Sequence, residues 1–174
     1  MSTTGLGSTA LVNHYSDASA DSPAWTTDTA ADGTVTNRRY VVGLTGFLTE
    51  VAIPAAGGTA NLTIQLTGLH GDVLRTTSPT ATGSPDGVAV DADEYGIVHD
   101  TTGATTTGPR YGWLGGEQRA TDTGTTGLTL MGVRLYSPAT CRFLSTDPVY
   151  GGKLNAYAYP LDSINRFDLE GRLG

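Results

Sequence analysis

Two aspartates in the C-terminal part of the sequence could carry out acid-base chemistry. Asp147 stands directly before Pro148, and Asp168 precedes Gly171 by three positions. Two carboxylates held close together do not both ionise easily, so one can act as a base for water while the other acts as an acid. Aspartate is also common at strand ends, where its side chain accepts hydrogen bonds from turn backbone. The residues alone leave a catalytic pair and two turn residues both open.

A second group of carboxylates, Asp91, Asp93 and Glu94, could hold a cation through its oxygens. It lacks the alternating oxygen ligands and the glycine of a calcium loop, so a solvated hairpin turn is the better interpretation. Three scattered histidines and a single cysteine offer no zinc-binding spacing. The sequence therefore predicts neither a metal site nor a cofactor.

Cys141 and the aromatic residues are further candidates for chemistry or binding. A nucleophilic cysteine needs a base, and no histidine is near Cys141 in the sequence, so we expect a small buried side chain on the hairpin. Five aromatic residues could form a sugar-binding platform or fill a core between strands: Tyr111, Trp113, Tyr136, Tyr157 and Tyr159. Whether these rings are exposed or buried separates the two interpretations.

The elements that must position these residues are strands rather than helices. Of 174 residues, 38% are hydrophobic and only 16% are charged, while 24 are glycine and threonine is abundant. Low charge, many small polar residues and short apolar runs favour β structure with many turns. The net charge of −7 argues against binding to nucleic acid or to an anionic membrane surface.

No apolar run is long enough to predict a membrane span. The N-terminal residues lack the charged and apolar regions of a signal peptide. If the protein reaches the cell exterior, we expect it to do so inside something larger.

Turn signals recur at short intervals along the chain. Asp32-Gly33 is a hairpin-turn signal, and Leu62, Ile64 and Leu66 alternate with polar residues on one face of a predicted strand. Further short strands are predicted at residues 88–90, 95–98 and 155–159. The pattern predicts an all-β fold, an antiparallel hairpin meander, with a poorly ordered N-terminal segment.

Residues 126–147 predict a hairpin. Four apolar residues give the near-alternating pattern of a strand with one buried face: Leu128, Leu130, Val133 and Leu135. A turn follows at Pro138, because proline cannot continue a ladder, and a second strand begins at Arg142. We expect Phe143 to be buried under this hairpin and Arg142 to pair with a carboxylate or with carbonyls at a strand end.

The same residues carry a family resemblance. A Gly-Leu pair, a strand with arginine and tyrosine, a proline turn and then Arg142-Phe143-Leu144-Ser145, followed by an Asp-Pro pair, stand in a fixed order. They resemble the RHS repeat-associated core of actinobacterial type, which closes the YD-repeat β-shell of bacterial Rhs polymorphic toxins. One departure is Cys141, where the family usually has glycine. A turn glycine often supplies a positive φ, which cysteine tolerates poorly.

The resemblance implies a function and a site. The chain would be the C-terminal module that closes a β-shell, with preceding YD repeats and a C-terminal toxin payload as partners. In several such proteins two Asp-Pro-x-Gly motifs form an aspartyl autoprotease that frees the toxin. Here the resemblance assigns catalysis to Asp147 and Asp168, with a cut near Arg172. The first motif has its glycine displaced to Gly151, and the second has Leu169 in place of proline.

The resemblance also implies a location and an organisation. The larger protein would be secreted or associated with the cell envelope and would act in bacterial competition. Three segments are predicted: a low-order lead-in over 1–37, YD-repeat-like hairpins over 38–109 and the RHS core over 110–174. Two alternatives stay open, namely a cell-envelope domain that binds carbohydrate or a partner surface, and a truncated remnant whose open strand edges leave it without activity.

Overall fold

The computed structural model describes residues 8–17, 20–43, 48–82, 91–100, 110–122, 127–149 and 155–172. Within these ranges the regular elements are antiparallel β-strands and two short 3₁₀ helices, and no α-helix is present. The predicted all-β class is confirmed. The strand predicted at residues 88–90 lies outside the described residues.

Six strands form the largest sheet, in which every strand pairs with its neighbour in sequence. The order is that of a meander, as predicted. The strands are β1 (Ser8–His14), β2 (Trp25–Ala30), β3 (Val35–Val42), β4 (Leu48–Pro54), β5 (Asn61–Thr67) and β6 (Val73–Thr77).

The turn between β2 and β3 shows how the sequence enforces this topology. The backbone N–H of Thr34 donates to the Asp32 carboxylate at 2.8 Å, and Gly33 takes a φ of 82°. Glycine adopts this left-handed conformation without the steric penalty of a side chain. The hairpin predicted from Asp32-Gly33 is therefore present, and it pairs two strands that begin in the polar N-terminal segment.

One face of the large sheet is buried. Leu48 and Gln65 lie opposite each other in the β4–β5 register, and both are buried together with Thr26 and Val73. Leu62 belongs to the other face, where it is 45% exposed. The alternation predicted for β5 is present, but the apolar side of the strand is the outer side.

A two-stranded sheet follows, made of β7 (Asp91–Ala92) and β8 (Val98–Asp100). The Asp93 carboxylate accepts hydrogen bonds from the backbone N–H groups of Tyr95 and Ile97, at 2.9 and 2.8 Å. These bonds fix the turn between the strands. Asp93 thus acts on turn backbone, and the strand predicted at 95–98 begins only at Val98.

The third sheet contains β9 (Thr129–Met131), β10 (Arg134–Ser137) and β11 (Arg142–Phe143), in the order β11-β10-β9. The prediction of one strand through Val133 is wrong, because the chain turns at Gly132, which has a φ of 52°. A 3₁₀ helix, Pro138–Thr140, makes the predicted proline turn between β10 and β11.

The predicted buried face of this hairpin is also wrong. Val133 and Leu135 are exposed, whereas the buried residues lie on the opposite face, where Arg134 pairs with Met131 and Tyr136 pairs with Thr129. The sequence pattern treats arginine and threonine as solvent-facing residues, but a charged group can be buried when it is paired and hydrogen-bonded. Arg134 pairs with Asp147 and Asp168, which follow β11 in the sequence, and this pairing lies on the buried face of the hairpin.

An aromatic core lies under the third sheet. Tyr136 contacts the rings of Trp113, Phe143 and Tyr159, with centroid distances of 5.3, 5.6 and 4.8 Å. Offset and edge-to-face pairs of this kind add stability beyond the area that they bury. The predicted burial of Phe143 is confirmed, since only 2% of its surface is exposed.

Direct contacts connect the large sheet to the C-terminal part. Val73 donates its backbone N–H to the carbonyl of Gly112 at 2.8 Å, and the buried guanidinium of Arg119 bonds the Asp21 carboxylate at 2.8 Å. The division into segments 1–37, 38–109 and 110–174 stays a prediction, although β3 runs across the boundary between the first two segments. Residues 155–158 form a turn rather than the predicted last strand, with a single bridge from Ala158 to Arg142.

Candidate functional site

The candidate site is centred on Arg134. This residue opens β10 opposite Met131, and its position on the buried face leaves its side chain only 2% exposed. The plane of its guanidinium is placed by the ring of Phe143, whose centroid lies 3.6 Å from Cζ, a cation–π distance. Its Nη1 donates to the carbonyl of Ala156 at 3.0 Å.

The two aspartates singled out in the sequence meet at this guanidinium. Arg134 Nη2 lies 3.0 Å from Oδ2 of Asp147 and 2.8 Å from Oδ2 of Asp168. Because both oxygens bond the same nitrogen, they lie within about 6 Å of each other. Both carboxylates are largely buried, with exposed side-chain fractions of 9% for Asp147 and 2% for Asp168. The structure therefore brings Asp147 and Asp168 together.

Asp147 is fixed by backbone on both sides. Its own N–H donates to the carbonyl of Ala156 at 2.9 Å, the same carbonyl that Arg134 bonds. Its Oδ1 accepts the N–H of Val149 at 2.8 Å. One carboxylate oxygen thus organises the turn after β11, and the other is left for the arginine.

Asp168 is fixed by the segment that follows it. Its Oδ1 accepts the N–H of Arg172 at 2.8 Å. Val133 donates its N–H to the carbonyl of Glu170 at 3.1 Å, which attaches this segment to the turn between β9 and β10. Asp168 therefore lies within a C-terminal segment, residues 163–172, that is bonded to the third sheet through Glu170 and to Arg134 through the Asp168 carboxylate.

Two glycines allow this close approach. A Cβ at Gly132 would overlap the carbonyl of Glu170, and a Cβ at Gly171 would lie 2.6 Å from the carbonyl of Met131. Both glycines also have a positive φ, of 52° and 65°. Any side chain at either position would separate the C-terminal segment from the β9–β10 turn and would displace Asp168.

Sequence reasoning missed Arg134 and chose Arg142 instead. Arg142 is exposed on β11, and it is Arg134 on the neighbouring strand that pairs with the carboxylates. The alternation gave no signal for Arg134, because this residue stands at a position that the pattern assigns to solvent-facing polar residues, and only its residue type was a hint. An arginine there has carboxylates as its natural bidentate or shared partners.

The arrangement has a definite chemistry. Three charges, one positive and two negative, are clustered in a buried place, and the cation offsets the repulsion between the carboxylates. A proton-sharing pair of carboxylates requires direct contact between them, whereas here the guanidinium bonds both. In this state the cluster is an ion-pair network that joins β10 to the turn after β11 and to the C-terminal segment.

The other candidates have structural surroundings. Cys141 is half-buried, its φ of 53° is the positive value expected where the resembling family has glycine, and its Sγ lies 3.5 Å from the carbonyl of Pro138. Among the five aromatic residues considered for sugar binding, Tyr157 alone is exposed, at 42%. Burial raises the pKa of Tyr136, whose hydroxyl donates to the carbonyl of Tyr95 at 2.9 Å.

No group of histidine, cysteine, aspartate and glutamate side chains in the described ranges has an arrangement suited to a metal ion. The described residues also contain no helix that is long and apolar enough to cross a membrane.

The fold is similar to parts of much larger toxin structures. No protein-family model and no curated protein matches the sequence. A structure of the Photorhabdus luminescens Tc holotoxin pore, in which TccC3 carries an aspartate-to-alanine mutation, matches with a TM-score of 0.63 and 17% identity over 86% of this chain. Crystal structures of TcdB2-TccC3-TEV and TcdB2-TccC3-Cdc42 match with TM-scores of 0.58, at 19% identity over 84% and 20% over 86% of this chain.

At these identities the likeness shows the fold alone. This chain spans only 7% of the length of each of the three matching chains.

Proposed function

We propose that this chain is a shell-closing segment of an Rhs-type β-shell in a larger, secreted protein, and that Asp147 and Asp168 cleave the chain after the C-terminal segment. The observation that carries the proposal is the meeting of both aspartates at Arg134, beside the backbone of Arg172. The similarity of the fold to parts of TccC3-containing toxin structures supports the shell role. Enclosure of a C-terminal toxin belongs to the same proposal.

The proposed cleavage follows from the chemistry of paired carboxylates. One carboxylate takes a proton from water as the water oxygen bonds to the carbonyl carbon of the scissile peptide. The other, in its acid form, gives a proton to the departing nitrogen as the carbon–nitrogen bond breaks. For this step one carboxylate leaves Arg134 and gains a proton, and the arginine keeps the second one ionised and oriented.

The test is a fusion of the 174-residue chain to a folded passenger protein after Gly174. Cleavage near Arg172 is expected, and mass spectrometry of the released passenger locates the cut. Asp147→Asn and Asp168→Asn should each abolish cutting while circular dichroism stays unchanged. Asp162→Asn is the matched control, because Asp162 is exposed and bonds Asn165 rather than the cluster.

Leu169→Pro completes the second motif of the resembling family and should leave cutting intact or make it faster. A fusion that stays uncut for days while folded, with and without Leu169→Pro, would contradict the proposed self-cleavage. In that case Asp147 and Asp168 would have a structural role only, and the shell proposal would rest on the fold.

A second candidate function, binding of a carbohydrate or a partner surface, is favoured by one open groove. The groove has a volume of about 580 Å³ and is lined by Thr140, Arg142, Phe143, Leu144 and Tyr157. An exposed tyrosine beside an exposed arginine suits a sugar ring or an acidic side chain. Tyr157→Ala should remove binding on a glycan array, whereas Tyr15→Ala, at an equally exposed tyrosine (42%), should not.

A further inference from the structure

His70 joins the large sheet to the segment that carries Asp168. It lies in the turn between β5 and β6, where the N–H of Gly68 donates to the carbonyl of Asp72 at 2.8 Å. Its Nε2 lies 3.1 Å from the carbonyl oxygen of Ser163, which is 93 residues further along the chain. Its ring also meets the ring of Phe167 edge-on, at a centroid distance of 4.9 Å. Phe167 directly precedes Asp168.

Both ring nitrogens of His70 face oxygen atoms that accept hydrogen bonds. Nδ1 lies 3.0 Å from Oδ2 of Asp72, and Nε2 faces the Ser163 carbonyl, which can only accept. A neutral imidazole has one N–H and one lone pair, so it can satisfy only one of these contacts. Two donated bonds require the imidazolium, or else a proton on Asp72. In either form, the pair holds one more proton than a neutral histidine beside an ionised aspartate.

The carboxylate of Asp72 is itself held in place. Its Oδ1 accepts the backbone N–H of Leu114 at 2.8 Å, and Leu114 is fully buried in the aromatic core. The chain of contacts therefore runs from the core through Asp72 and His70 to the backbone of Ser163. His70 cannot follow a moving C-terminal segment without breaking one of its two bonds.

The charged and titratable groups around this pair come from three elements. Asp72 shares the turn with His70, and the side chain of Glu117 lies against that turn, with its Cγ 3.9 Å from the place of a Cβ on Gly71. Tyr159 contributes from the C-terminal part. Burial raises the pKa of Tyr159, and the negative charges of Asp168 and Asp72 act in the same direction, whereas the backbone of Asp168 and the charge of Arg119 lower it.

We propose that His70 and Asp72 form a proton-dependent clamp that positions the C-terminal segment, and with it Asp168, against the large sheet. The clamp is closed when the pair holds its extra proton. As the pH rises and the proton leaves, the lone pair of Nδ1 or of Nε2 comes to face an oxygen, and one bond is lost. The hold on the segment is therefore strong at lower pH and weaker at higher pH. This inference goes beyond the proposed function, because it does not depend on cleavage.

The experiment measures amide hydrogen exchange of the 174-residue chain at pH values between about 5.5 and about 9. Exchange rates of residues 163–168 are corrected for the intrinsic effect of pH. In the wild-type chain, protection of this segment should fall by about tenfold across the range, as expected for one charge-assisted hydrogen bond. Protection within β2–β4 should stay constant.

Asp72→Asn is the decisive variant. The asparagine can accept the Leu114 N–H through Oδ1 and donate from Nδ2 to Nδ1 of a neutral His70, whose Nε2–H still bonds Ser163. Protection of residues 163–168 should then be independent of pH. His99→Gln is the control, because His99 is 59% exposed and 3.9 Å from Asp93, and its variant should behave as the wild type.

Constant protection of residues 163–168 in the wild-type chain would overturn the clamp. An equal loss of protection in the wild type and in Asp72→Asn would overturn it as well, because the pH effect would then arise elsewhere. If Asp72→Asn fails to fold, the wild-type exchange profile still decides, together with His70→Gln, which should abolish the pH dependence. A pH dependence that persists in His70→Gln also excludes the clamp.

Discussion

Removal of the positive charge at the centre of the site should be strongly destabilising. In Arg134→Met the unbranched side chain keeps the packing over Phe143, but the guanidinium that bonds Asp147 and Asp168 is lost. The cluster changes from one positive and two negative charges to two negative charges with little access to water. Breaking a buried ion pair by removing one partner costs about 3 to 5 kcal/mol. Each carboxylate keeps one backbone N–H donor, at Val149 and at Arg172, so the loss should fall within this range rather than above it.

The same charge count predicts a smaller effect for Asp168→Asn. That variant leaves Arg134 paired with Asp147, so the cluster is neutral. The free energy of unfolding should fall by about 1 to 3 kcal/mol, the cost of weakening a buried hydrogen bond. In the double variant, Arg134→Met with Asp168→Asn, only one unpaired carboxylate remains. The free energy of unfolding of the double variant should fall by less than the sum of the two single decreases. The difference should be at least about 1 kcal/mol, because the two residues are in contact.

The assay is urea unfolding followed by tryptophan fluorescence, since Trp113 lies in the adjoining core. Arg142→Met is the matched control, because Arg142 is an arginine on the next strand but is exposed. The free energy of unfolding of this variant should differ from that of the wild type by no more than about 0.5 kcal/mol. A loss below about 1 kcal/mol for Arg134→Met, or equal losses for Arg134→Met and Arg142→Met, would refute the view that the ion-pair cluster holds the C-terminal segment.

Three further outcomes are expected, all measurable as shifts in the free energy of unfolding. Phe143→Ala should lower it by about 3 to 5 kcal/mol, because the ring is buried; an unchanged midpoint would place the core elsewhere. Cys141→Gly should raise it by about 0.5 to 1 kcal/mol, because glycine tolerates the φ of 53°, and a decrease would show that the thiol contributes packing. Gly132→Ala should destabilise far more than Gly127→Ala. Both glycines have a positive φ, but a Cβ at Gly127 meets no described residue within 4 Å, whereas a Cβ at Gly132 meets the backbone of Glu170. Equal effects would show that the backbone can shift.

Local signals in the sequence were sufficient for the meander of the large sheet and for the turn between β2 and β3. Asp32 and Gly33 encode a turn through a side-chain bond and a left-handed residue, both of which act within four positions. The departure at Cys141 from the glycine of the resembling family predicted a strained turn, and the residue has a positive φ. Such features are local, and a single sequence contains them.

The partners of buried charges were not predictable in the same way. The periodicity assigned Val133 and Leu135 to the core, and it did so because it weighs apolar residues and not distant carboxylates. Arg134 is inside because Asp168, 34 residues later, returns to meet it. Asp147 and Asp168 were chosen by resemblance, and neither residue by itself indicates that both carboxylates bond the same nitrogen of Arg134. Contacts over such separations depend on tertiary structure.

The meander of the large sheet has a consequence for the order of events on the ribosome. Each of its strands pairs with the strand made just before it, so these pairings are short in sequence and can form as the chain emerges. The cluster at Arg134 is different, because it waits for a residue synthesised 34 positions later. The pairings of the sheet can therefore form before Asp168 is synthesised, whereas the charged cluster cannot. The hold of Arg134 on the C-terminal segment therefore cannot form before all six strands of the sheet have been synthesised.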